Sequence, residues 1–377
     1  MLFKIALPVA AVFLIAFVVF SSLNGVDNAG PWLIATFVFL SIGFRAYAAL
    51  RAFTFTMIIF AAVTTALYYP QYFQSWDGLK LTTLFIPLLQ VIMFGMGTQM
   101  GIKDFAGVIK MPRAVLIGLF GHFMFMPLAG YTLARLFNFP PEIAAGFVLA
   151  GSIPFGTASN VMSYLANANP ALSVTLTAIT TLLSPFLMPL WMKVPGVQFI
   201  AVDASAMMWD MAKIVVIPVA AGLMFNRFFK GKLLWFDKIM PLISMFGIAF
   251  IIVIITAAGR DALLKVGPAF IVCAFIHNNT GYLFGYWVAR LFRLPERDAR
   301  TIAIEAGMQN SGLASGLEIM GRTAMPGLAP AVFSPLIHIT GSLLASYWHG
   351  RKVDENAGTK NKDIRVNGKL EVDGVAG

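Results

Sequence analysis

Charged residues are scarce in this sequence. Asp, Glu, Lys and Arg make up 12% of the 377 residues, whereas 59% are hydrophobic. A soluble domain carries about 25% charged residues, so the composition excludes an ordinary soluble protein and predicts a membrane protein. Lys and Arg outnumber Asp and Glu by 27 to 17. In a membrane protein this excess is typical of cytoplasmic loops, and we expect no nucleic-acid partner.

Cysteine and histidine are also rare. The single cysteine, Cys273, lies inside an apolar run, which excludes a disulfide framework and a metal cluster held by several cysteines. The four histidines (His122, His277, His338 and His349) are far apart and show no metal-ligand spacing. The sequence also offers no nucleophile–base constellation near a membrane interface, so we do not expect an enzyme.

Long apolar runs, by contrast, are frequent. A membrane-spanning helix needs about 20 mostly apolar residues. Twelve segments meet this condition, near residues 4–21, 31–49, 53–70, 81–100, 114–137, 142–165, 171–192, 209–229, 239–258, 266–291, 300–320 and 327–348. The alternative interpretation of the first segment is a signal sequence, in which Lys4 is the basic residue of the amino-terminal region. No A-x-A-like cleavage site follows in FSSLNG, so we favour a retained helix.

Basic residues recur in every second loop, which predicts the orientation. With a cytoplasmic amino terminus, the inside loops and tail contain Arg51, Lys103, Lys110, Arg113, Lys230, Lys232, Lys238, Arg293, Arg297, Arg300, Arg351 and Lys352. The outside loops then contain only Lys80, Lys193, Arg260, Lys265 and Arg322. This bias predicts an integral protein of the plasma (inner) membrane with both termini in the cytoplasm. Residues 350–377 are polar and of mixed charge, and we expect a disordered cytoplasmic tail.

Two segments carry polar residues and helix breakers where lipid tolerates neither. One is GTASNVMSYL at 156–165, just after Pro154, and the other is EAGMQNSGLASGLEIM at 305–320. Setting aside the first two spans (residues 1–50) leaves two sets of five, at 51–208 and 209–349. Each break then falls in the fourth span of its set. An odd number of spans per set predicts an inverted repeat, and such paired breaks indicate a transporter's binding site.

The breaks contain oxygen ligands suited to a cation. An ionisable residue inside a span is functional by default, and Glu305 lies at the second break. Ser173 and Thr177 are spaced i, i+4 and share one helix face. We expect one sodium cage from Ser159, Asn160, Ser173, Thr177 and Glu305, and a second from Gln309 with the carbonyls of Ala306 and Met308.

Two histidines within spans have open interpretations. His122 is either a core histidine bonded to a neighbouring helix or a residue that lines the ion path or carries a proton. His338 has the same alternatives, with less support.

The stretches GTASNVMSYLANANPALSVTLTAITTLLSPFLMP and EAGMQNSGLASGLEIM resemble the two signatures of the bile acid:sodium symporter family. The resemblance covers roughly residues 50–349. It implies an all-α polytopic fold of ten helices in two inverted five-helix repeats. The fourth and ninth helices would be broken and would cross, and a core domain would move against a panel domain. The two N-terminal helices are extra to this pattern.

The resemblance also implies roles for individual residues. Both sodium cages named above correspond to family sites, but His122 stands where the second site has a glutamine. Thr157 and Asn310 would face the substrate's carboxylate, and Ser311 and His338 are further candidate substrate contacts. The implied function is import of an organic anion, either bile-acid-like or a small carboxylate such as pantoate or a keto acid.

We therefore predict a secondary active transporter coupled to sodium by alternating access. A proton-coupled or uncoupled organic anion carrier is the alternative, and a ligand sensor that uses the same fold without transport is another. The expected partners are the small organic anion and membrane lipids, with the oligomeric state open.

Overall fold

The computed structural model describes residues 2–47, 50, 53–194, 203–229, 234–310, 313, 328–349 and 351. Within these residues the chain is helical apart from turns and one short hairpin, β1 (Ser75–Trp76) with β2 (Leu79–Lys80). The helices of the N-terminal part are α1 (Leu2–Asn24), α2 (Gly30–Phe44), α3 (Thr54–Tyr68), α4 (Phe85–Gln99), α5 (Ile102–Phe105), α6 (Gly107–Lys110), α7 (Pro112–Phe120), α8 (Met126–Leu136), α9 (Pro141–Ser152), α10 (Thr157–Leu165) and α11 (Pro170–Lys193). Those of the C-terminal part are α12 (Ala204–Met211), α13 (Ile217–Phe229), α14 (Leu234–Leu291), α15 (Glu296–Gly307) and α16 (Leu328–His349).

Many of these helices are long and apolar enough to cross a membrane. In the described residues there are six such stretches: Ile5–Asn24, Leu81–Gln99, Pro112–Leu136, Pro170–Lys193, Ala204–Phe229 and Leu242–Asp261. A π-helical turn joins α7 to α8 at Gly121–Phe125, and another joins α12 to α13 at Ala212–Val216. The helices Gly30–Phe44 and Thr56–Tyr68 are apolar but shorter. The prediction of an all-α polytopic membrane protein is confirmed.

One predicted boundary is wrong. We expected a loop with Arg260 and Lys265 between two spans, but α14 continues through this region and departs from helical geometry at Gly267 (φ 59°, ψ −149°). The sequence DALLKV contains good helix formers, so nothing interrupts the helix before the Gly267–Pro268 pair. Proline lacks the N–H that the helix needs and glycine accepts a positive φ, so the chain bends there.

The two N-terminal helices pack against each other and against α3. Gly43 in α2 lies against the side chain of Leu7 in α1, and Gly30 lies against the ring of Tyr68 in α3. The Tyr68 hydroxyl also donates to the carbonyl of Val26 at 3.0 Å, between α1 and α2. Close glycine contacts of this kind are typical of helix pairs in membranes.

The turn from α8 to α9 recurs between α14 and α15. The sequence ARLF occurs at 134–137 and again at 289–292, so each residue has a counterpart 155 positions later. The residue that follows is left-handed in both turns: φ is 51° at Asn138 and 56° at Arg293. Non-glycine residues seldom adopt this conformation. Its recurrence at matching positions indicates one local design used twice.

The same spacing relates the helix contacts beside these turns. Gly130 in α8 lies against the carbonyl of Phe147 in α9, and Gly285 in α14 lies against the carbonyl of Ile302 in α15. A side chain at either glycine would collide with the backbone of the facing helix. Both helix pairs therefore approach closely, and each leads directly into one of the two predicted breaks.

Candidate functional site

The two predicted breaks are both present in the backbone, and they touch. The helix of the first break ends with α9 and resumes with α10, and α15 ends at Gly307 before the second break. The N–H of Gly156 donates to the carbonyl of Met308 at 2.9 Å, and the N–H of Asn310 donates to the carbonyl of Pro154 at 2.9 Å. The two segments run antiparallel there. Lipid cannot form hydrogen bonds with the backbone groups that a break leaves free. Here, backbone groups of each break form hydrogen bonds with those of the other.

Local sequence accounts for the first break. Ile153 adopts an extended conformation (φ −71°, ψ 152°), as expected for a residue that precedes a proline. Pro154 has no N–H with which to continue α9. A side chain at Gly156 would come within 3.0 Å of the carbonyl oxygen of Gln309, so the close approach of the breaks favours glycine here.

The carboxylate of Glu305 lies beside this contact and is fully buried. Three hydroxyls donate to it. The Ser159 hydroxyl is 2.7 Å from Oε1, the Thr177 hydroxyl is 3.1 Å from Oε2, and the Ser173 hydroxyl also contacts Oε1. Glu305 lies at the second break, as predicted. The helix that carries it, α15, begins at Glu296 rather than near residue 300. The structure thus brings together α10, α11 and α15 around one carboxylate.

Asn160 completes this oxygen cluster. Its Oδ1 accepts from the Ser173 hydroxyl at 2.8 Å and lies 3.4 Å from the Thr177 hydroxyl. The cluster thus contains Ser159, Asn160, Ser173, Thr177 and Glu305, which are the five residues of the first predicted cage. The atoms through which these five side chains contact one another are all oxygens. Hard cations prefer such carboxylate, amide and hydroxyl ligands.

The cluster has fewer protons than oxygen contacts. The Ser159 hydroxyl approaches both Glu305 and the carbonyl of Gly156, the latter at 2.6 Å. Ser173 and Thr177 each approach both Glu305 and Asn160. Each hydroxyl has one proton to donate, so three protons serve six contacts. A bound cation would relieve the remaining repulsion between oxygen lone pairs.

Three other hydroxyl residues on α11 donate within their own helix. The hydroxyls of Thr180, Thr181 and Ser184 donate to carbonyls of their own helix, at 2.9, 2.7 and 2.8 Å. Such bonds are the ordinary way for Ser and Thr to satisfy themselves inside an apolar helix. The hydroxyls of Ser173 and Thr177 are instead directed across to α10 and α15.

Comparison with known proteins identifies the family. The model of the sodium bile acid symporter family matches residues 86–266. An uncharacterised sodium-dependent transporter of Bacillus subtilis (strain 168), YocS, is 34% identical over 316 residues, which cover 84% of this chain and 96% of that protein. The chain belongs to the sodium bile acid symporter family.

Two further family members come from eukaryotes. The ileal sodium/bile acid cotransporter of Homo sapiens is 32% identical over 274 residues, or 71% of this chain and 77% of that protein. A probable chloroplastic sodium/metabolite cotransporter of Arabidopsis thaliana, BASS1, is 33% identical over 261 residues, or 69% and 65% of the two chains. These relatives are named as transporters, and the chain is a membrane transporter rather than an enzyme.

The residues predicted for a second sodium site are less free to bind an ion. The carbonyl of Met308 accepts the N–H of Gly156 at 2.9 Å, and the carbonyl of Ala306 accepts from the side-chain amide of Gln309 at 3.3 Å. These contacts link the second break to itself and to the first break. The sodium role of this group stays a prediction.

His122 lies at the first break but is bound to backbone. Its Nε2 donates to the carbonyl of Ile153 at 2.7 Å, and its ring lies 4.4 Å from the ring of Phe155, measured between centroids. The imidazole is fully buried. This geometry fits the first of the two interpretations of His122, a core histidine bonded to a neighbouring helix.

The predicted substrate contacts occupy different environments. Thr157 is exposed in the first turn of α10. The Oδ1 of Asn310 accepts the N–H of Leu313 at 3.0 Å. His338 bonds to the carbonyl of Ser334 in its own helix through Nδ1, at 2.7 Å. Ser311 lies outside the described residues.

A polar network at the end of α15 was not predicted from the sequence. Asn278 donates from Nδ2 to the carbonyl of Gly307 at 2.5 Å and accepts from the Thr340 hydroxyl at Oδ1, also at 2.5 Å. The hydroxyls of Thr340 and Tyr282 lie 3.1 Å apart. The available signal was the polar tetrad HNNT at 277–280, inside an otherwise apolar run.

Proposed function

We propose that this transporter imports an organic anion together with sodium by alternating access. The observation that carries the proposal is the buried oxygen cluster around Glu305, at the point where the two breaks meet. The names of the relatives from Bacillus subtilis, Homo sapiens and Arabidopsis thaliana all include sodium, which supports sodium as the coupling ion.

Charge balance favours a cation in this cluster. Glu305 is fully buried, and in the described part of the chain no Lys or Arg forms an ion pair with it. Removing an ionised carboxylate from water costs several kcal/mol unless another charge offsets it. One sodium ion would neutralise the carboxylate and bind the hydroxyl and amide oxygens of Ser159, Asn160, Ser173 and Thr177.

An organic anion is the substrate that the first break favours. The amino-terminal end of α10 lies at the break, and helix N-termini attract negative charge. Thr157, exposed in that first turn, is the contact we propose for the substrate's carboxylate, with Asn310 and Ser311 from the second break and His338 as further candidates. One relative is named for bile acid and another for a metabolite. A bile-acid-like anion and a small carboxylate such as pantoate or a keto acid are the classes to test.

The way in which the two breaks are connected supports alternating access. Residues 51–208 and 209–349 would form two inverted repeats, and the ARLF turns 155 residues apart support this division. The oxygen ligands come from both repeats, with Ser159, Asn160, Ser173 and Thr177 in the first and Glu305 in the second. Sodium binding would therefore fix the two repeats relative to each other, which couples the ion to the conformation. From the basic loops we propose a plasma-membrane location with cytoplasmic termini.

Uptake into proteoliposomes tests this proposal. Purified protein is first screened by thermal shift against a panel of carboxylates, with and without sodium, because a ligand that binds the folded state raises its melting temperature. The stabilising carboxylate is then used for uptake, with external sodium or choline. We expect uptake only with sodium. Equal uptake in choline would favour a proton-coupled or uncoupled carrier, and binding without uptake would favour a sensor.

A further inference from the structure

Side chains of α14 and α16 form a hydrogen-bond network at the C-terminal end of α15. Glu305 lies two residues before Gly307, the last residue of α15. The carbonyls at the end of a helix have no partner within it. The side-chain amide of Asn278 from α14 donates a hydrogen bond to the carbonyl of Gly307. The hydroxyl of Thr340 from α16 donates to the Oδ1 of the same amide. Asn278 and Thr340 are both buried.

α15 also lies directly against α14 beside this amide. Gly281 and Gly285 of α14 face the carbonyls of Ala306 and Ile302, and a Cβ atom at either glycine would lie within 2.8 Å of the carbonyl oxygen. Close contact through glycine brings the two helices together but supplies no directional bond between their side chains. Asn278, one helical turn from Gly281, provides a directional bond to the backbone of α15.

The first repeat has a matching arrangement. His122 donates from Nε2 to the carbonyl of Ile153, just beyond the end of α9, from 31 residues earlier in the chain. Asn278 donates to Gly307 from 29 residues earlier. His277, adjacent to Asn278, is the counterpart of His122 at the 155-residue spacing, but it bonds to the carbonyl of Met126 in α8 at 3.0 Å, so Asn278 makes the bond to the fourth span in the second repeat. In both repeats, then, a polar side chain from the third span holds the carbonyl where the fourth span breaks.

We propose that Asn278 is a positioning residue for the cation site and that His122 performs the same task at the first break. This inference rests on the proposed function of the Glu305 cluster. A binding constellation must be held within about 0.5 Å of its productive geometry. Asn278 does not touch the cluster, but it fixes the helix end that carries Glu305 toward Ser159, Ser173 and Thr177. Loss of the Asn278 side chain should therefore weaken sodium binding, while the maximal rate of substrate uptake at saturating sodium should be largely unchanged.

The substitution Asn278→Leu keeps the side-chain size and removes both hydrogen bonds. Asn279→Leu is the matched control, because Asn279 is adjacent and half-buried, and among the described contacts its amide bonds only to the carbonyl of Phe275 in its own helix. We expect Asn278→Leu to raise the sodium concentration for half-maximal uptake about tenfold, because, of the two lost hydrogen bonds, the one to Gly307 is the bond that holds α15. Asn279→Leu should leave that concentration unchanged. An unchanged value in Asn278→Leu would overturn the inference.

A second pair of variants applies if Asn278→Leu does not fold. Thr340→Val removes the hydroxyl that orients the Asn278 amide, and Thr340→Ser keeps it. We expect the valine variant to raise the half-maximal sodium concentration and the serine variant to restore it. Equal values in the two variants would contradict the positioning role. Wild-type uptake that does not depend on sodium would overturn the proposed function itself, and the inference with it.

Discussion

Glu305 differs from the other acidic residues of the described chain in its surroundings. Its carboxylate is fully buried and meets three hydroxyls from α10 and α11, whereas Glu296 lies at the start of α15 and pairs with Arg300 at 3.0 Å. Hydroxyl donors offset only part of the cost of burying a charge. In the proposed function a cation supplies the rest of the compensation, so the contribution of each oxygen in the cluster can be measured through sodium affinity.

Thr177 and Thr181 provide a matched test of this view at the scale of one hydroxyl. Both are buried, and they lie one turn apart on α11, but Thr177 is directed to Glu305 whereas Thr181 bonds to its own helix. Replacing Thr177 with valine should raise the half-maximal sodium concentration about tenfold, because it removes one ligand of the ion. Thr181→Val should change it less than about twofold. Sodium-dependent uptake measures both, and equal effects would contradict the assignment of Thr177.

At the scale of the elements, the contact between the two breaks should be intolerant of added bulk. Gly156→Ala would place a Cβ atom 3.0 Å from the Gln309 carbonyl oxygen and 3.3 Å from that of Met308. Backbone cannot move aside as a flexible side chain does, and overpacking of this kind costs about 1–3 kcal/mol. We expect Gly156→Ala to lower uptake at least about fivefold at equal membrane expression.

Gly121→Ala is the control for this substitution. Gly121 lies in the π-helical turn between α7 and α8, and its added Cβ would meet nothing within 4 Å. Uptake by this variant should match that of the wild type. If Gly156→Ala also transports normally, transport does not require the close approach of the two breaks that the hydrogen bond from Gly156 to Met308 indicates.

The sequence predicts these elements unevenly, for physical reasons. The length of the apolar runs predicts the spans, and polar residues within those runs predict the breaks. Both signals are local, because lipid penalises any polar group that it cannot satisfy. The i, i+4 spacing of Ser173 and Thr177 also places their shared face correctly. The pairing of Gly156 with Met308 and the contact of Asn278 with Gly307 depend on which segments meet in space, and local patterns contain little of that information. Charged residues in an apolar chain usually indicate a loop, so the helical continuation through Arg260 cannot be predicted from this local pattern.

At the scale of the whole molecule, the number of sodium ions sets the response to membrane voltage. The second predicted site has carbonyls engaged by Gly156 and Gln309, and His122 is bound to Ile153. We therefore expect one sodium per monoanionic substrate, and transport without net charge. Uptake should not change when valinomycin and a potassium gradient impose an inside-negative potential. A second sodium would add one positive charge, worth about 2.3 kcal/mol per 100 mV, and a clear increase in uptake would contradict the single-site scheme.

If the carboxylate of Glu305 holds a sodium ion between the two repeats, the purified wild-type protein should bind radioactive sodium saturably at equilibrium, with one ion per chain. Glu305→Gln should lose that binding, since the amide keeps the size of the side chain but removes its charge. Glu142→Gln, in the first turn of α9, should bind as the wild type does. Unchanged sodium binding by Glu305→Gln would show that this carboxylate does not hold the ion.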